Sequence, residues 1–316
     1  MSKVVSLSAE DVKAVANWPL VIEAIRAGHE RPKADIGDTF VHARDNTMLV
    51  RSAYIDGLAA GVKAATVVPD NPNRTPPLPS IHAQIMLFDS NSGELAALVD
   101  GTEVTAWKTA GDSALGSALL SRENSKVLLM VGAGSMAEPL IRAHICSRPG
   151  LEEVVIYNRT TARAEAVAAN LDDLTQSVSV VTDLDAAIPT ADIICCATMT
   201  NDPVLKGALV VPGTHVDLVG AYKSDMREAD DDLHEQADWF VDSFDTTLDH
   251  IGEFTIPIAA GVIGRDAAKG DLHALVDGSV GRESAEQITV FKNGGGAHLD
   301  IMVSAALVAA HQTPAD

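Results

Sequence analysis

Apolar residues change their spacing several times along this chain, and each change predicts a different kind of element. Near the start, "SLSAEDVKAVANWPLVIEAI" places apolar residues at Val12, Val15 and from Leu20 onward, as an amphipathic helix requires. Ser8, followed three residues later by Asp11, predicts a capping box at its N-terminus. From about Thr39 to Val99 the texture becomes one of short alternating runs, "TMLVRSAYI", "AAGVKAATVV", "IHAQIMLFD" and "GELAALVD". Punctuated by Asp56-Gly57 and Ser92-Gly93, they predict an antiparallel sheet, with Asn71 to Ser80 as a Pro-rich loop between two strands. A helix is expected from Thr105 to Leu120. Beyond it strands alternate with helices in the rhythm of a parallel sheet, the strands falling at "KVLLMV", "EEVVIY", "SVSVV", "ADIICCA", "HVDLVG" and "DWFVDS". After Thr289, "FKNGGGAHLDIMVSAALVAAHQ" predicts a glycine turn and a final helix.

A length of 316 residues favours two lobes over one core, and 47% hydrophobic content is ample for both. No run reaches the ~18 apolar residues that crossing a membrane needs, and the polar, acidic N-terminus does not read as a signal peptide. The net charge of −21 disfavours nucleic acid or an anionic membrane as partner but leaves room for a small anionic ligand in a local positive pocket. The cysteines Cys146, Cys195 and Cys196 cannot build a disulfide framework, and a reduced, cytoplasmic setting is expected. Ten scattered His with no HExxH and no CxxC give no metal site, and "DLHEQAD" around His234 reads as an exposed acidic helix.

The strongest motif is "KVLLMVGAGSMAEPLIRAHI", a strand, then Gly132-Ala133-Gly134-Ser135-Met136-Ala137, then a helix. Gly132 permits the tight turn, Gly134 lets a pyrophosphate approach the backbone, and Ala137 allows close helix–sheet packing. The phosphates then meet a helix N-terminus, where free N–H groups favour anions. In NAD sites the second strand usually ends in a carboxylate for the ribose 2′-OH. Here "VVIYNRTTAR" ends in Asn158, Arg159 and Thr160, with Arg163 one turn on, and a cation there attracts a 2′-phosphate. NADPH is therefore the expected cofactor, with NADH possible. Thr198, just past "ADIICCA", joins the cofactor-binding set.

If the first hairpin centres on Gly57, Arg51 and Lys63 lie directly opposite one another, each six residues away. Two cations paired across strands are unfavourable unless an anion sits between them, which marks a site for an anionic substrate. Lys108, near the expected helix start, supplies a third cation, and His82 is a candidate proton relay.

The segments "AGVKAATVVPDNP", "LVDGTEVTAWKTAGDSALGS", "LLMVGAGSMA", "GTHVDLVGA" and "ITVFKNGGGAHLD" resemble, in order and spacing, the ornithine cyclodeaminase/μ-crystallin family. The resemblance implies an α/β fold: a Rossmann-type parallel sheet domain, 119–297, inserted into an α+β substrate-binding and dimerisation domain with an antiparallel sheet, 1–118 plus 298–316. It also implies a homodimer. By motif, Lys63 matches the family's active-site lysine, and Lys108 stands where an arginine usually holds the substrate carboxylate, with Arg51 able to share that work. Tyr222 stands where the cyclodeaminases and the alanine dehydrogenase carry an Asp for the substrate amine; Asp225 is out of register. Cyclodeamination needs such a carboxylate, whereas reduction of a ready-made cyclic imine needs less. The expected activity is NAD(P)H-dependent reduction of cyclic ketimines, Δ1-pyrroline-2-carboxylate or Δ1-piperideine-2-carboxylate, to L-proline or L-pipecolate. Ornithine cyclodeaminase or an alanine-type dehydrogenase is the alternative, and a non-catalytic NADPH-binding protein like μ-crystallin a second.

Overall fold

The structure, a computed structural model, describes residues 4–313; the outermost residues of the domain expected at 1–118 plus 298–316 lie outside the described residues. The chain parts into two compact units, Met1–Thr109 with Gly296–Asp316, and Ala110–Gly295.

The first unit runs β1 (Val5–Leu7), α1 (Ala9–Val15), α2 (Trp18–His29), β2 (Asp35–Ala43), β3 (Asn46–Ile55), β4 (Ala59–Val67), β5 (Ile81–Asp89), β6 (Leu95–Asp100) and the start of α3 (Gly101–Leu120). Ser8 and Asp11 form the expected capping box, but the single helix predicted here is two. Pro19 cannot donate to the carbonyl four residues back, so the chain breaks at Ala16 and restarts with Asn17 as N-cap, its Oδ1 accepting from Leu20 N at 3.0 Å. The sheet has the order β1-β6-β5-β4-β3-β2; β2 to β6 are antiparallel and β1 pairs parallel with β6. β2 escapes the alternation test because nearly all of it is exposed and neither of its faces is apolar throughout. Along β4, Ala59, Gly61, Lys63 and Ala65 point to the buried face, joined across the strands by Ala83, Ile85 and Leu87 of β5.

The second unit takes up the rest of α3 and continues with β7 (Val127–Val131), α4 (Ala137–Ser147), β8 (Glu153–Tyr157), α5 (Thr161–Ala169), β9 (Ser177–Val181), α6 (Leu184–Ala187), β10 (Ile193–Cys196) and β11 (His215–Leu218). Then come α7 (Asp231–Gln236), β12 (Asp238–Val241), α8 (Phe244–Thr247), α9 (Gly252–Ala259), β13 (Ala268–Gly270), α10 (Leu272–Val276) and β14 (Thr289–Lys292). Every strand pair is parallel, in the order β13-β12-β14-β11-β10-β7-β8-β9. From β7 the chain winds outward through β8 and β9, then returns to β10 on the other side. The carboxyl ends of β7 and β10 therefore flank a topological switch point, where open α/β sheets bind ligands. Apolar residues of the strands, among them Leu129, Ile194, Val216 and Trp239, make one core with Phe254 of α9. His234 is part of this buried layer, stacked on Trp239 with ring centroids 3.8 Å apart. That corrects the reading of "DLHEQAD" as wholly exposed: the carboxylates of α7 face outward while its histidine faces in.

The units part inside α3, after Thr109, whereas the sequence placed the boundary at 118/119. Ala110 to Ser117 are all buried, and their half of the helix packs within the second unit, for example Gly116 on Phe291. Finally α11 (Ala297–Gln312) returns to the first unit and lies on the buried face of its sheet. The approach is close: a Cβ on Gly61 of β4 would come within 2.1 Å of Ile301 Cδ1. Among the described residues no helix is long and apolar enough to cross a membrane.

Candidate active site

In the first unit the β3–β4 hairpin turns at Gly57, which takes a positive φ of 68° that favours glycine. Ile55 then pairs with Ala59, and Arg51 with Lys63, the register that the spacing about Gly57 predicts. The two cations do not wait for an outside anion, however. Lys63 is buried, its Nζ donating to Asp300 Oδ1 at 2.9 Å and to Thr105 Oγ1 at 2.6 Å. Thr105 Oγ1 in turn donates to Gly101 O at 2.7 Å. Arg51 faces Asp38 of β2, with Nε to Oδ2 at 2.9 Å and Nη2 to Oδ2 at 2.8 Å. Each cation thus has its own carboxylate, and neither carboxylate was foreseen. Asp300 left a signal: it is the one acidic residue in the apolar helix "AHLDIMVSAALVAA", and a buried carboxylate there requires a partner.

Lys108 is also buried. It follows Thr105 by three residues on α3, so the two side chains share a helix face and Lys108 lies on the side that meets Lys63. His82 does not join them. It pairs with Thr66, whereas Lys63 pairs with Ile85, and residues three apart on one strand point to opposite faces. His82 is exposed on the far face of the sheet, which removes it as a proton relay for Lys63.

In the second unit the turn after β7 has Gly132 at φ 110°, its N–H donating to Tyr157 O at 2.8 Å. A Cβ there would meet Ala197 O at 2.6 Å, so the tight turn needs glycine on both counts. At Gly134 the position of an added Cβ touches nothing within 4 Å. That open backbone, next to Ser135, Met136 and the start of α4, is the cradle a pyrophosphate requires, and a dinucleotide fits it. Asn158 is used internally: its Oδ1 accepts from Ala133 N at 3.1 Å, fastening the turn to the end of β8. Arg159, Thr160 and Arg163 are exposed at the start of α5, and neither arginine has an ion-pair partner among the described residues. Thr198, after β10, gives its N–H and its hydroxyl to Glu228 Oε1 at 2.6 and 2.8 Å. Glu228 went unnoticed in the sequence, where it sits among exposed-looking charges in "DMREADDD". Burial pushes its carboxyl up to about 7.

Tyr222 is exposed, with Lys223 Nζ over its ring at 5.3 Å. Asp225 is exposed as well, its backbone oxygen held by Asn201 Nδ2 at 2.8 Å. His144, Cys195 and Asp217 place their ligand atoms within 4.8 Å of one another, wholly buried. Asp217 accepts from Ser113 Oγ at 3.0 Å and from Cys195 Sγ at 3.2 Å, with His144 Nε2 at 3.1 Å, so the group reads as a hydrogen-bonded network around one buried carboxylate.

One unit carries a doubly wound parallel sheet with a dinucleotide turn at its switch point, and the other an antiparallel sheet holding a buried lysine–carboxylate pair; these are the parts of an oxidoreductase of the nicotinamide-dependent class. The chain belongs to the ornithine cyclodeaminase/mu-crystallin family, whose model matches residues 5–311. Over 299 residues it is 47% identical to the Δ1-pyrroline-2-carboxylate reductase of Paracoccus denitrificans strain Pd 1222, covering 94% of each chain. It is similar in structure to the Thermococcus litoralis Δ1-pyrroline-2-carboxylate reductase in complex with NADH and L-proline, with a TM-score of 0.89 at 28% identity over 97% of each chain. An archaeal alanine dehydrogenase dimer with bound NAD matches with a TM-score of 0.88 at 25% identity, over 97% of this chain and 95% of that one.

Proposed function

We propose that the chain reduces cyclic ketimines, Δ1-pyrroline-2-carboxylate and its six-membered homologue, to L-proline and L-pipecolate with NAD(P)H. The observation that carries this reading is the 47% identity, over 94% of both chains, to a protein named for that reaction. When bound, the reduced nicotinamide supplies the hydride for the imine carbon. The chain's own residues must anchor the substrate carboxylate and place a proton on the ring nitrogen. Lys108, buried on α3, is the carboxylate anchor, with Arg51 a second cation whose charge Asp38 already balances. Lys63 is the proton donor. Held by Asp300 and Thr105, its ammonium has a fixed direction, and Asp300 offsets the cost of keeping it charged in a buried place. The cyclodeaminase alternative needs a carboxylate at position 222, where an exposed tyrosine stands, and Asp225 is turned to Asn201.

NADPH is the preferred cofactor in this reading, because Arg159 and Arg163 are exposed where a 2′-phosphate would lie and Asn158, not a carboxylate, stands at the carboxyl end of β8. A homodimer is supported by the edge strand β2, nine residues long, which exposes Phe40 and Val41 by 58% and 57%. A long exposed edge strand that carries apolar side chains is a pairing surface unless it is covered. A cytoplasmic location accords with cysteines that are all free. The test is oxidation of NADPH followed with Δ1-pyrroline-2-carboxylate, with ornithine and alanine run in parallel with NAD and NADP. Turnover of the imine with silence on the amino acids supports the reading; ammonia and proline from ornithine would sink it.

A further inference from the structure

One buried side chain holds together the loops that follow β10 and β11. Glu228 is wholly buried. Its Oε1 accepts from Thr198 N at 2.6 Å and from Thr198 Oγ1 at 2.8 Å, and its Oε2 accepts from Gly220 N at 2.6 Å and from Ala221 N at 3.3 Å. The two loops are also pressed together, since a Cβ on Gly220 would come within 2.0 Å of Thr198 O. Four donors converge on one carboxylate. An ionised carboxylate accepts from all of them, whereas a protonated one must itself donate: three of the four are N–H groups that cannot accept, and the Thr198 hydroxyl accepts only by giving up its own bond to the carboxylate.

The surroundings keep the two forms close in energy. Glu253 of α9 accepts from Glu228 N through its Oε1 at 2.6 Å, which brings a second carboxylate alongside. Lys292, wholly buried at the end of β14, is the facing cation, and Cys196 of β10 lies against the carboxyl. Arg227, paired with Asp231 of α7, and His234, whose Nε2 lies 2.7 Å from Glu253 O, stand behind Glu253. Burial and Glu253 push the Glu228 carboxyl up to about 7, with Lys292 opposing them.

In a doubly wound sheet one half of a dinucleotide lies over the strands on one side of the switch point and the other half over the strands beyond it. Here the turn after β7 and the end of β8 take the adenine side, which leaves the ends of β10 and β11 to the nicotinamide side. We propose that Glu228 is a titratable positioning residue for the nicotinamide half of the site: ionised, it ties the Thr198 and Gly220 loops into one binding edge, and protonated, it releases them and weakens cofactor binding. This rests on the dinucleotide reading of the Gly132–Ala137 turn.

The test is the affinity of the cofactor-free protein for NADH, which avoids the titrating 2′-phosphate of NADPH, measured by fluorescence between about pH 6 and pH 8 in the wild type and in Glu228→Gln. If the ionised form is the binding-competent one, the wild-type Kd weakens about tenfold from the top of that range to the bottom. Glu228→Gln binds more weakly at pH 8 and without that dependence. In parallel, the Thr198 and Gly220 amide resonances of the free wild-type protein should shift with one common midpoint near 7. Should Glu228→Gln fail to fold, the wild-type affinity and amide titrations decide alone. Tight binding with a flat Kd, a variant with unchanged pH dependence, or amides without a common midpoint overturns the proposal. Failure to bind NADH at any pH removes the dinucleotide reading along with it.

Discussion

Lys63 Nζ and Asp300 Oδ1, separated by 237 residues in sequence, lie 2.9 Å apart on the buried face of the first unit's sheet. The contact needs the last helix of the chain to return across the sheet after the whole of the second unit. It also needs Gly61, one register step from Lys63 on the same face, to be bare enough for α11 to come close. The pair therefore links a local feature, the hairpin register at Gly57, to the chain's overall path.

Removing one member leaves the other charged and buried. Asp300→Asn and Lys63→Met are each expected to destabilise the protein by roughly 3–5 kcal/mol and to abolish imine reduction. Lys63→Met with Asp300→Leu should recover most of that stability and none of the activity. Urea denaturation of the three variants checks this. A double variant as unstable as the singles would mean that the two groups act separately.

Arg159→Asp tests the cofactor preference. A charge-assisted contact to a phosphate is worth about 1.5–3 kcal/mol, so KM for NADPH should rise on the order of 10- to 100-fold while KM for NADH stays level or falls. Because Arg159 is exposed, the NADPH advantage of the wild type should also shrink as salt is added. Equal changes for both cofactors would show that Arg159 serves the fold of α5 and not the 2′-phosphate.

Val41→Lys tests the edge. It places a charge on the exposed edge strand β2, a device that blocks strand-to-strand association, and leaves the pairing of Val41 with Met48 inside the protomer in place. Sedimentation should show a dimer for the wild type and a monomer for the variant. A variant that remains dimeric would move the interface elsewhere.

The parts of this architecture visible in the sequence are those set by short-range pattern. Arg51 and Lys63 could be paired because a single turn glycine sets the hairpin register. The Gly132 turn stood out because strand, glycines and helix follow one another within twenty residues or so. What stayed hidden depends on longer paths. His82 lies beyond the Asn71–Ser80 loop, across which a slip of one residue would exchange the two faces, so its strand could be foreseen but not its direction. β14 is four residues long and ends in Lys292, a residue that reads as surface in any window and is wholly buried here. Glu228 and Asp300 are single carboxylates whose partners come from distant strands and helices, and no spacing rule brings those together.

The pH dependence of stability tests how these buried groups are balanced. Burial, helped by Arg227, lowers His234 to about 4, and burial holds His215 well below its ordinary value. The unfolded chain therefore binds more protons than the native one between about pH 4 and 6.5, so these histidines favour the fold at neutral pH and lose that contribution as pH falls. Glu228 runs the other way. With its native value raised to about 7, the native state holds a proton that the unfolded chain releases above about 4.5, so its contribution is present in acid and is lost as pH rises toward 7. Burial raises the Glu253 carboxyl in the same direction, so two carboxyls run against two histidines and the trends offset each other between roughly pH 5 and 6.5. Wild-type stability should therefore change little over that interval. Glu228→Gln, which keeps the histidines and removes one opposing proton, should lose on the order of 2 kcal/mol more than the wild type as pH falls from about 7.5 to about 5. Urea denaturation at stepped pH reads the difference directly, and parallel curves for the two proteins would mean that Glu228 stays ionised throughout.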